Sequence, residues 1–332
     1  MARKYWQIAA GSRGRDYVDQ FIRFGMAFVG GDTPCTTMTA VNSGDVILLK
    51  RGLSQVVAAG EVVERNGKHS GEGDKNWLRD FDGWDLRAYC YVDWRVPEKP
   101  VDTQGLTRAT IQQTRQPQHK TIGDQLLQLP IRSFEPEPTP AETVTDDEIL
   151  RFLIGEGLRP SAADDLTDTF RRIRVLAKYY YDECKWDEIR EHETRTFLIV
   201  PLLLALGWAE QQLKIEFPVS GGRVDTACFS RPFHRKEKEC VALIEAKAFS
   251  SGLHYAPDQA KGYAKAFPSC TVLVVSNGYC YKAYRRADMG SFSEKPSAYL
   301  NILTPTKAYP LDPANVGGAL DVLRWLMPIS LR

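Results

Sequence analysis

No apolar run in this 332-residue chain comes near the ~20 residues needed to cross a bilayer; the best, residues 197 to 206, contains Pro201 and stops at Gly207. The opening MARKYWQIAAGSRGRD has no apolar h-region and no small-residue cleavage site, so no secretory signal is expected. Cysteine is scarce, odd in number at seven and scattered without a CxxC pair. That argues against a disulfide framework or a zinc site and for buried thiols in a reducing cytoplasm. No GxxxxGK[ST] loop occurs, so ATP-driven translocation within this chain is not expected. Net charge is nearly absent at +1, yet it divides unevenly: +1 over residues 1–100, +2 over 101–133, −7 over 134–165 and +5 over 166–332. A mildly basic second half is compatible with a polyanionic partner and equally with ordinary solvated surface.

What is present reads as two domains. The chain is about twice the ~150 residues of a typical domain, and its 43% hydrophobic and 26% charged residues are near globular averages. Around position 134 the run SFEPEPTPAETVTDDE predicts an extended, solvated linker. Residues 96–119 are polar and aperiodic, so the first unit is expected to end near residue 98. Residues 99–144 then form a connector, with at most a short helix within 109–129 anchored on Ile111, Ile122, Leu126, Leu127 and Leu129.

The first hundred residues predict short strands at 5–10, 45–50, 55–64 and 85–94, with NSGD and RG turns bracketing DVILLK ahead of QVVAAGEVV as a hairpin. Such strands must close or pack to remove their edges, which points to a small barrel. From residue 146 the period turns helical. Thr145 or Asp146 caps a helix running to 154, and 167–184 spaces Phe170, Ile173, Leu176, Ala177 and Tyr180 by three and four. After Gly207 come strands at 213–219, 223–229, 240–247 and 271–276, with a helix at 257–267. The expected fold class is therefore α+β and α/β in two domains. A small β-barrel occupies 1–98, and an α/β domain with a preceding helical segment occupies 145–332.

The lines GGRVDTACF (221–229) and ECVALIEAKAF (239–249) predict adjacent strands. In the second, Val241, Leu243, Glu245 and Lys247 share one parity, so Glu245 and Lys247 project from one face. Two charges ending a hydrophobic strand need partners, and Asp225 lies one short hairpin away. Two carboxylates beside a lysine form a hard-oxygen site for Mg²⁺ or Mn²⁺ and a cation for a phosphate or an attacking water. The chemistry this suits is metal-assisted phosphodiester hydrolysis.

Asp225 followed by Glu245-Ala246-Lys247 resembles the D…(D/E)xK signature of the PD-(D/E)XK nuclease superfamily. The run EHETRTFLIVPLLLALGW (191–208) is similar to the helix that precedes the core sheet in the nuclease domains of type I restriction subunits. Gln259 and Tyr263 resemble the QxxxY motif of that subgroup, and LVVSNG (273–278) its next core strand and turn. The resemblance spans roughly 145–328. It implies that Asp225, Glu245 and the Ala246 carbonyl hold the metal, with Glu193 completing the shell. Lys247 would orient or deprotonate water and stabilise transition-state charge, and Gln259 would position the phosphate or the lysine. It also implies 5′-phosphate and 3′-hydroxyl products, with a homodimer or two visits for a double-strand cut. The first motif has Val224 where the family name has proline.

In the first unit, KYWQIAAGS, NSGDVILLKRG and VVAAGEVVE resemble the PUA-like fold in its EVE-type branch, which includes readers of modified bases. Met26-Ala-Phe-Val-Gly30 departs from the Trp-rich segment of that branch. Flipped bases are held between aromatic faces and read at their edges. Tyr5, Trp6, Phe24, Trp77 and Trp84 are the candidate pocket, or equally core aromatics, with Asp32, Asn42 or Ser43 as edge readers. Arg13 and Arg15, in a glycine-flanked loop, are candidate DNA-backbone contacts or plain solvated charges. Together these readings predict a cytoplasmic DNA endonuclease that acts on DNA carrying modified cytosine. A nuclease released by a nucleotide or RNA signal, and a non-catalytic nucleic-acid-binding protein, are the alternatives.

Overall fold

The computed structural model of the chain describes residues 3–11, 14–182, 188–234, 239–286 and 290–331. It separates into two compact units, Met1–Pro138 and Thr139–Arg332, and is mixed α+β with one curled sheet and a second sheet. Among the described residues no helix is long and apolar enough to cross a membrane.

The first unit runs β1 (Tyr5–Ala9), α1 (Val18–Phe24), β2 (Met26–Val29), α2 (Asp32–Met38), β3 (Val46–Arg51), β4 (Gln55–Val62), β5 (Ser70–Glu72), β6 (Ala88–Arg95), β7 (Val101–Asp102), β8 (Ile111–Thr114) and α3 (Pro117–Leu126). Its sheet is ordered β2-β6-β4-β3-β1-β8, with β5 on β6 and β7 on β4; β1 and β3 are parallel and the other pairs antiparallel. The sheet curls without closing, so the expected barrel is a half-barrel. The short helix α2 touches both end strands, β2 and β8, and this blunts the edges that closure would have removed.

Residues 99–138 are part of this unit rather than a connector. β8 adds to β1, and α3 lies on β3 and β4, burying Leu126 with Leu48, Val56, Ala59 and Leu106. The segment is held largely by polar groups, which is why its apolar period is weak. Buried Gln7 accepts from the Thr107 amide at 2.9 Å, and buried Lys50 donates to the Thr107 carbonyl. His119, with no exposed surface, bonds Thr114 at 2.7 Å and the Gln104 carbonyl at 2.8 Å. Each of these buried groups needs its partner, so the loop is fixed by polar satisfaction as well as by its apolar anchors.

The second unit runs α4 (Asp146–Gly155), α5 (Ala163–Asp182), α6 (Glu191–Thr194), a π-helical turn (Arg195–Ile199), α7 (Val200–Ala205), β9 (Leu213–Val219), β10 (Gly222–Phe229), β11 (Cys240–Ala246), α8 (Ala256–Ala264), β12 (Val272–Ser276), β13 (Cys280–Arg285), β14 (Ala298–Asn301) and α9 (Ala319–Leu326). Thr145 closes α4 with a capping box, its hydroxyl accepting from the Glu148 amide. The sheet order is β14-β13-β12-β11-β10-β9, and only β11 and β12 are parallel, joined through α8. Every residue of β11 and β12 is buried, as strands covered on both faces require. The widened turn at Arg195 comes just before Pro201, whose ring cannot donate to the helix ladder.

Candidate active site

Three carboxylates stand in a row across β9, β10 and β11. The pairing of Val224 with Phe217 and Thr226 with Ile215 sets Glu216 opposite Asp225, and the pairing of Thr226 with Ile244, carried one step further, sets Asp225 opposite Glu245. Glu216 has φ 51, a left-handed conformation that costs a non-glycine residue on the order of 1 kcal/mol. Its carboxylate is held by Arg195 at 2.9 Å and by Arg223 at 3.3 Å. Arg195 is buried and also donates to Asp225 Oδ1 at 3.3 Å, while Asp225 Oδ2 accepts from the Ala246 amide at 2.8 Å.

Glu245 is only 3% exposed. Its Oε1 accepts from Lys247 Nζ at 2.7 Å, and its Oε2 is buried with no hydrogen-bond partner among the described residues. Burial pushes its carboxyl up; the Lys247 hydrogen bond works against this and the Asp225 charge with it, leaving the pKa at about 7. Burial opposes the Lys247 charge, but the Glu245 hydrogen bond and the charges of Glu245, Glu191 and Asp225 outweigh it and raise the ammonium pKa. Lys247 Nζ also reaches Gln259 Oε1 at 3.3 Å, and Gln259 Nε2 donates to Tyr263 OH at 3.0 Å. Gln259 and Tyr263 are one turn apart on α8. A Cβ on Gly222 would fall 2.6 Å from the Tyr263 hydroxyl, so this glycine lets β10 pass beneath the tyrosine.

Asp225, Glu245 and Lys247 thus come together as their spacing predicts, and Ala246 and Gln259 lie with them as the resemblance implies. Glu193 does not join them: its carboxylate accepts from the Arg190 amide at 2.7 Å and closes the start of α6. Residues two apart on a helix face different ways, and it is Glu191 whose carboxylate lies 3.7 Å from Lys247 Nζ. Arg195, Glu216 and Glu191 were missed as site residues. Glu191 and Arg195 lie in the same helix motif as Glu193, and Glu216 is a charge in an apolar-alternating strand.

Comparison with protein-family models, curated proteins and solved structures gives no match.

Among the described residues, no group of three His, Cys, Asp or Glu side chains is arranged to hold a metal ion. The donors still fit a hard divalent cation. The partnerless buried oxygen of Glu245 lies beside Asp225, and Mg²⁺ needs only one or two carboxylates because it keeps several waters.

The aromatic candidates of the first unit are mostly core. Trp6 is buried and donates to Asp45 Oδ2 at 2.9 Å; Asp45 also accepts from the backbone amides of Asn42 and Lys4 at 3.0 Å. Tyr5 is buried and donates to Asp124 at 2.6 Å. Phe24 packs on Trp77 with centroids 4.9 Å apart, inside a cluster with Phe28 and Phe81. These rings pack on one another because a small curled sheet has little else to fill its interior. Of the edge readers, Asp32 is exposed and pairs with Arg87 at 2.8 Å, Asn42 binds the Ala40 carbonyl at 3.1 Å, and Ser43 is exposed in a turn. Trp84 is half-buried and carries the Arg15 guanidinium 3.4 Å over its ring, so Arg15 stacks instead of standing free for a phosphate. Arg13 lies outside the described residues.

Proposed function

We propose that this chain is a divalent-metal-dependent endonuclease of the PD-(D/E)XK type that hydrolyses DNA phosphodiester bonds. The observation that carries the proposal is the buried, partnerless Oε2 of Glu245 beside Asp225, with Lys247 2.7 Å from the other oxygen. A divalent ion held by Asp225 and Glu245, with the Ala246 carbonyl, would polarise the phosphate and lower the pKa of a bound water. Lys247, its pKa raised, is an ammonium at neutral pH. Its role is then to orient the attacking water and stabilise charge on the phosphoryl oxygens, not to remove a proton. Gln259, fixed by Tyr263, holds Lys247 in place, and Arg195 holds Asp225. The water oxygen bonds to phosphorus and the bond to the 3′ oxygen breaks; the proton the water gives up to solvent is balanced by the one the 3′ oxygen takes on as it leaves, giving a 5′-phosphate and a 3′-hydroxyl. Restriction of DNA carrying modified cytosine is the biological setting that the sequence resemblance favours.

One observation favours a second reading, an ion-paired sheet end in a nucleic-acid-binding protein that does not cut: both oxygens of Asp225 already have partners, Arg195 and the Ala246 amide. Cleavage of plain DNA and of phage DNA with methylated or hydroxymethylated cytosine, in Mg²⁺ or EDTA, with wild type and Lys247→Ala, separates the two. Cutting that is lost in EDTA and in the variant supports the nuclease. Equal cutting of both DNAs keeps the nuclease and removes the modified-base reading, and no cutting of any DNA supports the second reading.

A further inference from the structure

A run of the chain's own acidic residues fills a basic, aromatic groove in the first unit. Glu137 receives four hydrogen bonds on one carboxylate: Lys75 Nζ at 2.5 and 2.6 Å, Trp77 Nε1 at 3.2 Å and Tyr91 OH at 3.4 Å. Two residues back, Glu135 pairs with Arg23 Nε at 2.7 Å. Phe134 lies beneath the Arg65 guanidinium, 3.7 Å from its ring centroid, and Lys75 also sits over the rings of Tyr89 and Tyr91 at 4.7 and 5.2 Å. Lys75 and Arg65 are mostly buried, with side chains 11% and 17% exposed. Two backbone bonds lash the strap down, Arg132 N–H to the Trp94 carbonyl at 2.8 Å and Glu135 N–H to the Arg23 carbonyl at 2.7 Å.

Two separate segments, one carrying Lys75 and Trp77 and the other Tyr91, converge their donors on one anion, and that anion is supplied by a Pro- and Glu-rich run with no apolar period of its own. The rings of Trp77 and Tyr91 are themselves buried and present only their Nε1–H and O–H donors here; a cation row with those donors and one guanidinium plane suits an extended nucleic-acid strand, with charges and donors for phosphates and a flat face for a base. Residues two apart in an extended chain are roughly 6.6 Å apart, close to the phosphate repeat of an extended single strand. The strap that occupies the groove is a single stretch of chain, the form a single strand takes and a duplex does not.

We infer that the groove lined by Arg23, Arg65, Lys75, Trp77 and Tyr91 binds single-stranded nucleic acid, and that residues 134–137 are its built-in competitor. Glu135 and Glu137 stand where phosphates bind, and Phe134 stands where a base stacks. The strand must displace the strap to enter, so apparent affinity is lowered by the fraction of molecules in which the strap is seated. This inference does not depend on the catalytic reading, and every measurement below is made in EDTA.

The test is binding of a fluorescent single-stranded oligonucleotide to the full chain. Glu135→Gln with Glu137→Gln is expected to bind roughly tenfold tighter than wild type. Its dependence of log K on log salt is expected to be steeper by about 1.4, the value for two additional phosphate contacts on a single strand, because wild type releases its own strap where the variant releases counterions. Adding Arg23→Ala and Lys75→Ala abolishes the gain. In wild type, the amides of Arg132 and Glu135 lose hydrogen-exchange protection when the oligonucleotide is added, a readout that needs no variant. The inference is overturned by an unchanged affinity in the strap variant or by a gain that survives loss of Arg23 and Lys75. It is equally overturned by the same gain from neutralising exposed Glu98 and Glu210, by unchanged strap protection, or by a poly-glutamate peptide competing as well as the oligonucleotide.

Discussion

Lys247 Nζ lies 2.7 Å from Glu245 Oε1, yet the second oxygen of Glu245 is buried with no partner among the described residues. One lysine therefore satisfies half of a carboxylate that is almost wholly out of water. An unsatisfied buried oxygen costs about 1–3 kcal/mol, so a site that retains one is poised for a ligand or a proton.

Glu245 makes stability depend on pH. Its folded pKa, about 7, is above the ordinary glutamate value of 4.5, so the stability it contributes is complete below the lower value and fades as pH rises through the upper one. Between pH 5.5 and 8.5 in EDTA, wild type is expected to lose about 2 kcal/mol of unfolding free energy from this group alone, and Glu245→Gln is expected not to lose it. Urea unfolding at the two pH values measures the difference; equal losses in the two proteins would sink the assignment.

Lys247→Ala is expected to lower the rate of DNA cleavage by about 10²–10³, the usual effect of removing one preorganised donor to developing charge. It also strips Glu245 of its counter-charge, so the variant is destabilised more at pH 8.5 than at pH 5.5, where Glu245 is largely protonated. Gln259→Ala, which removes a contact to the lysine and none to Glu245, is expected to affect rate with little pH-dependent loss of stability. Single-turnover rates and melts at both pH values check the pair.

These residues were legible for definite reasons. A period of two puts Glu245 and Lys247 on one face whatever the surroundings, and a period of four does the same for Gln259 and Tyr263. Thr145 with Glu148 three residues on is likewise a local signal, and α4 begins there. What escaped is fixed by partners distant in sequence. Arg195 meets Asp225 and Glu216 only once β9 and β10 are paired, and Glu191 replaces Glu193 because helix rotation selects one of two equivalent carboxylates. Residues 99–138 read as a linker because their anchors, Lys50, Gln7 and His119, are polar groups bonded to a loop, which no hydrophobic pattern reports. Trp6 and Phe24 read equally as pocket or core, and burial decides for core.

Gly278, at φ 94, allows the turn after β12 to lie against the helical segment that carries Arg195. A Cβ there would fall 2.4 Å from Leu198 Cδ1 and 2.8 Å from Thr194 Cγ2. Gly278→Ala combines left-handed strain with this overlap and is expected to cost about 2–3 kcal/mol. Because the strain bears on the turn holding Arg195, cleavage is expected to fall as well. Gly155→Ala, in open space, is the control and leaves stability within about 0.5 kcal/mol of wild type. Denaturant midpoints of the two variants decide the matter, and a harmless Gly278→Ala would mean that the turn and helix are not packed as described.

Among the described residues Arg195 is the side-chain cation paired with Asp225, and it shares its charge with Glu216. Arg195→Met keeps most of the volume and removes the charge, leaving Glu216, Asp225 and Glu245 in a row with Lys247 at one end and Arg223 at the other. Without metal the variant is expected to lose about 2 kcal/mol, less than for a fully buried pair because Glu216 is half exposed. The same change frees Asp225 Oδ1 and deepens the local negative potential, so a divalent cation that binds the folded state gains affinity and stabilises it more. Titrating Mg²⁺ or Mn²⁺ into wild type and variant is therefore expected to raise the melting temperature of Arg195→Met by the larger increment, with half-saturation at lower metal. Equal increments in the two proteins would mean that Arg195 and the cation do not compete for Asp225. A response in wild type that is absent from the variant would mean that Arg195 holds Asp225 in the geometry the cation needs.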